Sequence, residues 1–351
     1  MKICHVNFAR GFRGGERQTQ LLIEALAERN IEQILLARHD SPLHDRLAST
    51  TGLMSIRLRK PYMLACGRVA RLNPDIVHAH EARAAQWALI NRWFSNVPYI
   101  VTRRISRPSK DLAFTRMVYR NAAKVVGLSR AVRESVKLRI PDVEADIIPS
   151  MFASLPVDDT RAAEIKARYA NSFIIGHIGA LVNPHKGQAV LIKAIRALNQ
   201  KYNNIKVLLL GTGKDQDLLK RLAYDLPNVE FVGFVEDVGS WINTFDLFVF
   251  PSLEEGLGSS LLDVMQQGKP IVASRVGGIL DVIQHEENGL LVPPNDPVFL
   301  ADAIERMMNN KELRERYGEA GRKTLYKYSP EHVAQCYDAI YKSVLSVGIG
   351  K

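Results

Sequence analysis

A glycine-interrupted segment between Pro251 and Asp263 carries the side chains best suited to chemistry in this chain. A carboxylate, Glu255, comes before the glycines, and a second, Asp263, follows eight residues later. Between them lie Gly256, Leu257, Gly258, Ser259 and Ser260. A helix is predicted to begin at the two serines, and a helix start offers unpaired N–H groups at the positive end of its dipole. The pattern favours binding of a phosphate or a polyol; the plainer alternative is a solvated Glu and an exposed helical Asp.

A second candidate is the loop around Gly179 and Lys186. It follows a predicted strand and places Lys186 at a predicted helix start, so one ammonium and several backbone donors could meet a phosphate. The Gly-x4-Gly-Lys-Ser/Thr spacing of a P-loop is absent. A solvated lysine beside an ordinary loop explains the spacing equally well.

Two glycine pairs also follow predicted strands. Gly14 and Gly15 precede the first predicted helix, where they allow the backbone to approach a ligand, although an ordinary turn would use them too. Gly211 and Gly213 lack the third glycine of a dinucleotide-binding loop, since Gln216 stands there. The second pair therefore argues against a dehydrogenase.

His78 and His80 lie at the end of another predicted strand. His80 is expected to point into a crevice and to hydrogen-bond a hydroxyl or a carbonyl. His78 is as well explained as a satisfied core or capping imidazole. Zinc is not favoured, because no Cys or carboxylate cluster stands nearby at ligand spacing.

Short apolar runs alternate with amphipathic stretches, a pattern typical of parallel β-α-β units. Strands are predicted over residues 3–6, 33–36, 76–78, 99–102, 124–128, 173–178, 206–210, 229–232, 247–250, 270–273 and 289–292. Helices are predicted over residues 17–29, 82–93, 111–121, 130–138, 187–199, 215–224, 238–244, 259–267, 297–309 and 330–345. The rhythm restarts after a turn-rich break at residues 147–159. We therefore predict two doubly wound, Rossmann-like α/β domains, with ligands bound at the carboxyl ends of the strands in the cleft between them.

Bulk properties fit a globular enzyme. The chain has 351 residues, 46% hydrophobic and 24% charged, so two domains are expected. No apolar stretch is long enough to span a bilayer, and the N-terminus is predicted to be a strand rather than a leader. Cys4, Cys66 and Cys336 suit neither a disulfide framework nor a metal knuckle. A cytoplasmic location is expected.

The net charge of +10 is confined to the first part of the chain. Residues 1–150 contain 25 Lys and Arg against 13 Asp and Glu, whereas the remaining residues contain 22 against 24. Between residues 103 and 139 there are 11 basic and 2 acidic side chains. This is either a solvated face or a surface for an anionic partner, such as a phosphorylated glycolipid or an acidic membrane.

The order of these motifs resembles the retaining glycosyltransferases of the GT-B fold and Glu-x7-Glu type, the family 4-like group that includes many bacterial glycan and lipopolysaccharide enzymes. The resemblance covers nearly the whole chain and is strongest over residues 172–296. It implies two Rossmann-like domains with an interdomain cleft. The acceptor would bind to residues 1–152, joined by a crossover helix at 330–351, and the donor to residues 153–329.

The resemblance also implies residue roles. Glu255 would bind the donor sugar hydroxyls, and Asp263, in place of the usual second Glu, would bind the ribose. Lys186 would bind the diphosphate, but Ala180 stands where an Arg is usual, so Arg275 or an N-domain Arg would have to compensate. Further donor contacts would come from Gly14, Gly15, Gly179, Gly211, Phe234, Val235, Gly256, Leu257, Gly258, Ser259 and Ser260. The catalytic residues would be His80, Glu255 and Lys186, and the acceptor would meet Arg13, Arg103, Arg104 and Arg107.

The implied activity is transfer of a hexose-type sugar from a nucleotide-sugar, with UDP favoured, to a saccharide or glycolipid such as lipopolysaccharide core. The anomeric configuration would be retained, without a metal or another cofactor, at or near the cytoplasmic face of the membrane. Two alternatives remain open. One is a nucleotide-sugar epimerase of the same fold. The other is a basic nucleic-acid-binding protein, which the few aromatics in the basic stretch disfavour.

Overall fold

The computed structural model describes residues 1–107 and 113–348, with the side chains of residues 63, 64, 67, 68, 347 and 348 left out of the description. The first two residues of the helix predicted over 111–121, and residues 349–351 of the predicted first domain, lie outside these ranges. The chain divides into two compact units. Unit 1 comprises Met1–Met151 and Lys327–Lys351, and unit 2 comprises Phe152–Tyr326. The predicted division at 152/153 and 329/330 thus differs by one and three residues.

Unit 1 is built on a parallel sheet of seven strands. The strands are β1 (Lys2–Asn7), β2 (Glu32–Arg38), β3 (Leu53–Leu58), β4 (Ile76–Ala79), β5 (Tyr99–Arg103), β6 (Lys124–Gly127) and β7 (Ala145–Ile147). The helices are α1 (Gly14–Ala27), α2 (Leu43–Arg46), α3 (Cys66–Ala70), α4 (Ala82–Ser95), α5 (Ala113–Arg120), α6 (Arg130–Arg139) and, from the end of the chain, α16 (Pro330–Gly348); a 3-10 turn spans Tyr62–Ala65. The strand order is β3-β2-β1-β4-β5-β6-β7, so the chain reverses direction across the sheet between β1 and β4.

Unit 2 contains a parallel sheet of six strands in the order β10-β9-β8-β11-β12-β13. These are β8 (Phe173–Ile178), β9 (Ile205–Leu210), β10 (Val229–Gly233), β11 (Leu247–Phe250), β12 (Ile271–Ser274) and β13 (Leu290–Val292). The helices are α7 (Asp159–Arg168), α8 (Asn183–Lys186), α9 (Gln188–Leu198), α10 (Gln216–Leu222), α11 (Val238–Thr244), α12 (Ser259–Gln266), α13 (Ile279–Val282), α14 (Pro297–Met308) and α15 (Lys311–Lys323); a 3-10 turn spans Leu325–Tyr328. Here the reversal lies between β8 and β11. The prediction of two doubly wound parallel-sheet domains is confirmed.

The central strands form because their residues are buried on both faces and most of them are apolar. All four residues of β11, Leu247–Phe250, are buried, as are the last five of β1. Such strands need helices on both sides, which the crossover connections provide. Strand positions at each reversal point are the usual place for ligands in this architecture, because loops diverge there and leave a crevice at the carboxyl ends.

The sequence patterns missed two strands, β3 and β7, and six helices, α2, α3, α7, α8, α13 and α15. Four of these helices, α2, α3, α8 and α13, have only four or five residues. Strands β3 and β7 are edge strands with exposed side chains, so neither shows a continuous apolar run. Helix α7 begins in the stretch that was interpreted as the domain break. Helix α15, with the sequence KELRERYGEAGRK, buries only Leu313, Tyr317, Gly318 and Gly321. Its first turn is instead fixed by Asn310, whose side chain accepts the Leu313 N–H at 2.8 Å.

Candidate active site

In unit 2, the loops after β8 and β11 meet at the reversal point of the sheet. The Nζ atom of Lys186, at the end of α8, donates to Oε2 of Glu255 in the loop after β11. Their side chains are only 23% and 14% exposed. The ammonium also lies 5.1 Å from the ring centre of Phe250, the last residue of β11. The two charged residues that the sequence singled out are therefore a half-buried ion pair at the carboxyl edge of the sheet.

Glycines allow the surrounding loops to pack this closely. Gly187 has φ +63°, and a Cβ there would overlap the carbonyl oxygen of Pro251. Gly277 and Gly278, after β12, would likewise collide with the backbone around Glu255, and the Gly278 N–H donates to the Glu255 carbonyl at 3.0 Å. These contacts fix the backbone that carries Glu255.

Helix α12 begins immediately beside this pair. Gly258 precedes it with φ +87°, and Ser259 and Ser260 form its first turn, half-buried. Leu257 is buried, so the segment presents main chain and small side chains rather than bulk. The unpaired N–H groups of the first turn lie at the positive end of the helix dipole, an arrangement suited to an anion.

Asp263 is buried more deeply than we expect of a residue that binds a ribose. It is 5% exposed, and its Oδ1 accepts the N–H of Ala153 at 2.8 Å. Asp263 follows Ser259 and Ser260 by four and three residues, on the same face of α12, and its carboxylate is held by the Ala153 backbone. The structure thus gives Asp263 a structural contact that the sequence did not indicate.

The remaining donor candidates of unit 2 line the same edge of the sheet. Gly211 adopts φ +127° and packs against the carbonyl of Gly179, and its N–H donates to the Gly233 carbonyl at 2.7 Å. After β10, Phe234 is 66% exposed and Val235 is half-buried. An aromatic face left in solvent at this edge is suited to stacking on a base.

Ala180 is exposed on the loop after β8, and its carbonyl accepts from Nε2 of Gln188 at 2.9 Å. Beside Lys186 the structure adds a residue pair that the sequence analysis missed: Nδ1 of His185 lies 3.1 Å from Oε2 of Glu254. The sequence signal for this pair is that His185 directly precedes Lys186 and Glu254 directly precedes Glu255. Arg275 is exposed after β12, at the same edge of the sheet.

In unit 1, three histidines converge at the reversal point between β1 and β4. His5 and His78 are directly opposite each other on these strands, and His80 follows β4. Nδ1 of His5 is 2.9 Å from Nε2 of His80, and the rings of His78 and His80 have centroids 4.0 Å apart. His5 was not predicted, since nothing in a strand sequence shows which residue of another strand will lie beside it.

Each histidine also bonds to a further polar group. Nε2 of His5 is 3.0 Å from Oε1 of Gln33, and Nδ1 of His80 is 3.3 Å from a guanidinium nitrogen of Arg104. His78 contacts the hydroxyl of Tyr341, on α16, at 2.8 Å. Its other ring nitrogen lies 2.7 Å from Oγ1 of Thr102.

The histidines are held in their neutral form. His5 and His78 are fully buried and His80 is 2% exposed. Burial lowers the pKa of His5 to about 3 and holds the pKa values of His78 and His80 well below the ordinary range, with a smaller contribution from their mutual repulsion. The expectation that the His80 side chain opens onto a crevice is wrong: the Arg104 guanidinium contacts its outer nitrogen instead.

Within the described residues, these three histidines are the one group whose spacing could hold a metal ion, with ligand atoms within 4.8 Å of one another. All six ring nitrogens, however, already have hydrogen-bond partners, and one partner is the cationic guanidinium of Arg104. A cation would have to break these bonds beside a like charge. The residues therefore fit a neutral hydrogen-bonded network better than a metal centre.

The first turn of α1 lies at the same edge of unit 1. Arg13 and Gly14 are exposed, and Gly15 is close to Arg104, whose Cδ would be 3.6 Å from a Cβ added at that glycine. Oε2 of Glu16 accepts the N–H of Arg13 at 2.9 Å and caps the helix.

The three arginines at the end of β5 and in the segment after it have different environments. Arg103 is 8% exposed and donates to the Tyr119 hydroxyl and the Arg107 carbonyl, so it holds the loop in place. Arg104 is half-buried beside His80, and Arg107 is exposed. Only Arg104 of these lies against the histidine network.

Comparison with known families agrees with this geometry. Residues 158–324 match the family described as "Glycosyl transferases group 1", and residues 13–150 match the "Glycosyl transferase 4-like domain". Together the two matches span most of both units. The chain is a glycosyltransferase with one domain of each of these two families. The epimerase and nucleic-acid-binding alternatives are thereby set aside.

Two relatives match over nearly their full length. The chain is 28% identical to the lipopolysaccharide core biosynthesis glycosyltransferase LpsD of Rhizobium meliloti, covering 96% of this chain and 97% of LpsD. It is 29% identical to LpsE of the same organism, covering 96% and 98%. The crystal structure of Anabaena HepE in complex with UDP-glucose superposes with a TM-score of 0.85 at 20% identity, covering 98% of this chain and 100% of HepE. No helix in the described part of the chain has the length and apolar character needed to cross a bilayer.

Proposed function

We propose that this glycosyltransferase moves a hexose from a UDP-sugar to a saccharide or glycolipid of the lipopolysaccharide core type, with retention at the anomeric carbon. The observation that carries the donor assignment is the Lys186–Glu255 pair beside the start of α12. The acceptor class rests on the names of the full-length relatives, and the UDP preference on the ligand named for HepE.

Lys186 and Glu255 would contact two different parts of the nucleotide-sugar. A diphosphate would replace Glu255 as the partner of the Lys186 ammonium, and the first-turn N–H groups of Ser259 and Ser260 would share its charge. Glu255, released from Lys186, would accept hydrogen bonds from the sugar hydroxyls. Phe234 would stack on the base, and the glycine-lined loops would leave room for the main chain to approach the phosphates.

The transfer step requires no protein nucleophile. The bond from the anomeric carbon to the diphosphate oxygen breaks, the acceptor oxygen bonds to the same face, and its proton passes to the departing phosphate oxygen. Lys186 and the start of α12 stabilise the negative charge that grows on the leaving group. Neither a metal nor another cofactor is part of this proposal. His80 is assigned an indirect part in the transfer step, because it positions the guanidinium of Arg104 in unit 1.

A donor panel followed by product analysis tests the proposal. We expect one UDP-sugar to raise the unfolding temperature of the full-length protein more than its GDP and ADP counterparts, and the increase to be lost in Glu255→Ala and reduced in Lys186→Ala. Incubation with that donor and a truncated lipopolysaccharide core should give a product whose anomeric proton shows the donor's configuration by NMR. An inverted product would refute retention, and unchanged donor binding in both variants would refute the site.

A further inference from the structure

The orientation of the amide of Gln33 fixes the direction of the hydrogen bonds that run from Gln33 through His5 and His80 to Arg104. Nε2 of Gln33 donates to the carbonyl of Ile23 at 2.9 Å, so its Oε1 must accept from Nε2–H of His5. A neutral His5 then has only a lone pair at Nδ1, which accepts Nε2–H of His80. His80, neutral as well, is left with a lone pair at Nδ1, directed at the guanidinium of Arg104.

Arg104 therefore has a neutral partner where a buried arginine would ordinarily have a carboxylate. One of its terminal nitrogens contacts His80 at 3.3 Å, and its Nε is buried without a partner. None of the described residues forms an ion pair with it. Two acidic groups partly offset the effect of burial on the pKa of Arg104: first the Tyr337 phenol, and then Glu16, whose carboxylate already caps α1. Burial lowers the pKa of Arg104, as expected for a cation whose charge is not balanced.

The position of this cation matches the place where a ligand would bind in unit 1. Arg104 follows β5, at the carboxyl edge of the sheet, next to the reversal point between β1 and β4. Its Cδ lies against Gly15 in the first turn of the 14-residue helix α1, which presents unpaired N–H groups. An unbalanced guanidinium with a buried, unpartnered Nε beside a helix start is suited to a planar or tetrahedral oxyanion.

We propose that Arg104 binds an oxyanion on the acceptor, a phosphate or a carboxylate, and that the Gln33–His5–His80 relay positions its guanidinium. The proposal rests on the proposed function, since it names the acceptor group that unit 1 selects. A neutral relay suits this task because it orients the guanidinium without neutralising it. A carboxylate in the place of His80 would compete with the ligand.

Binding of matched probes to the UDP-saturated, full-length protein tests this. Saturating UDP occupies the unit 2 site, so a second anion reports on unit 1. We expect glucose 6-phosphate, glucuronate or both to bind more tightly than neutral glucose by isothermal titration, and Arg104→Gln to weaken that binding at least about tenfold. The two anionic probes distinguish a phosphate-bearing from a carboxylate-bearing acceptor. Arg120→Gln, which removes the same charge at the exposed end of α5, should bind the probes as the wild type does.

The Gln33–His5–His80 relay is tested separately, by the histidine tautomers seen in NMR and by the KM for the acceptor. In wild-type protein labelled with 15N-histidine, we expect the Nδ1 resonance of His80 to be that of an unprotonated nitrogen. In Gln33→Leu, which removes the acceptor of His5, we expect a mixture of tautomers and a higher KM for an anionic acceptor at unchanged UDP affinity.

Three results would overturn the proposal. One is anionic probes binding no better than glucose while UDP still binds. Another is Arg104→Gln, still folded by its thermal transition, binding the probes normally. The third is Arg104→Gln weakening UDP instead. Absence of UDP binding in the wild type would instead contradict the donor assignment to unit 2, so the two failures are distinguishable.

Discussion

Replacing Lys186 by Met is expected to affect stability and donor affinity separately. The ammonium and the Glu255 carboxylate are 23% and 14% exposed, between the fully solvated and fully buried cases. Exposed pairs contribute up to about 1 kcal/mol, whereas breaking a buried pair costs about 3–5 kcal/mol. For this half-buried pair we expect Lys186→Met to lower the free energy of unfolding by about 1–2 kcal/mol, mainly because Glu255 is left without its partner.

Donor affinity should fall for a different reason. A charge-assisted hydrogen bond to a phosphate contributes about 1.5–3 kcal/mol, so UDP should bind about 10- to 150-fold more weakly to Lys186→Met. In the double variant Lys186→Met with Glu255→Gln, no unpaired carboxylate remains. Stability should recover by about 1 kcal/mol while UDP affinity stays low.

Urea unfolding and isothermal titration of UDP, on the wild type, both single variants and the double variant, complete the cycle. If the double variant regained UDP affinity, Lys186 would not contact the diphosphate. If its stability did not recover, the ion pair would not be the cause of the loss in Lys186→Met.

Four further outcomes are expected. In Gly278→Ala the added methyl overlaps the carbonyl oxygen of Gly256, so the loop must move; we expect stability to fall by roughly 2 kcal/mol and UDP affinity to fall with it, and an unaffected variant would contradict the packing. Tyr341→Phe removes the hydrogen bond to the buried His78 and should cost about 1–3 kcal/mol in urea unfolding, and no loss would mean that α16 is not held there. Burial lowers the pKa of His177 to about 4, so the unfolded chain binds a proton at this residue more readily than the native state does. Acidification from pH 6.5 to pH 5 should therefore lower the free energy of unfolding by about 2 kcal/mol through His177 alone, and His177→Gln should reduce that fall. Transfer activity should be unchanged by EDTA; loss that added Mg²⁺ restores would refute the metal-free proposal.

The residues of the proposed donor site in unit 2 could largely be located from the sequence because their signals are local. Lys186, at the end of α8, and Glu255, in the loop after β11, each follow a buried strand within eight residues, and a glycine precedes the next helix in both places. The alternation of apolar runs and amphipathic stretches then predicted two parallel sheets, which places such loops at one edge. The ion pair between the two residues could not be predicted, because 69 residues separate them.

The histidine network of unit 1, the proposed acceptor unit, was less predictable because its organisation depends on contacts between distant residues. His5 and His80 are 75 residues apart, and His78 and Tyr341 are 263 apart. A sequence pattern marks each as a histidine or an aromatic residue in an apolar run, without showing that they meet. Burial of His80 is likewise a property of the packed unit rather than of its strand.

Hydrogen–deuterium exchange with and without UDP tests the central claim most directly, namely that the donor is held at the carboxyl edge of unit 2. We predict that UDP slows exchange in peptides covering residues 179–187 and 254–260, and that the protection is much weaker in Lys186→Met at the same UDP concentration. Protection confined to unit 1, or equal protection in wild type and variant, would contradict the claim.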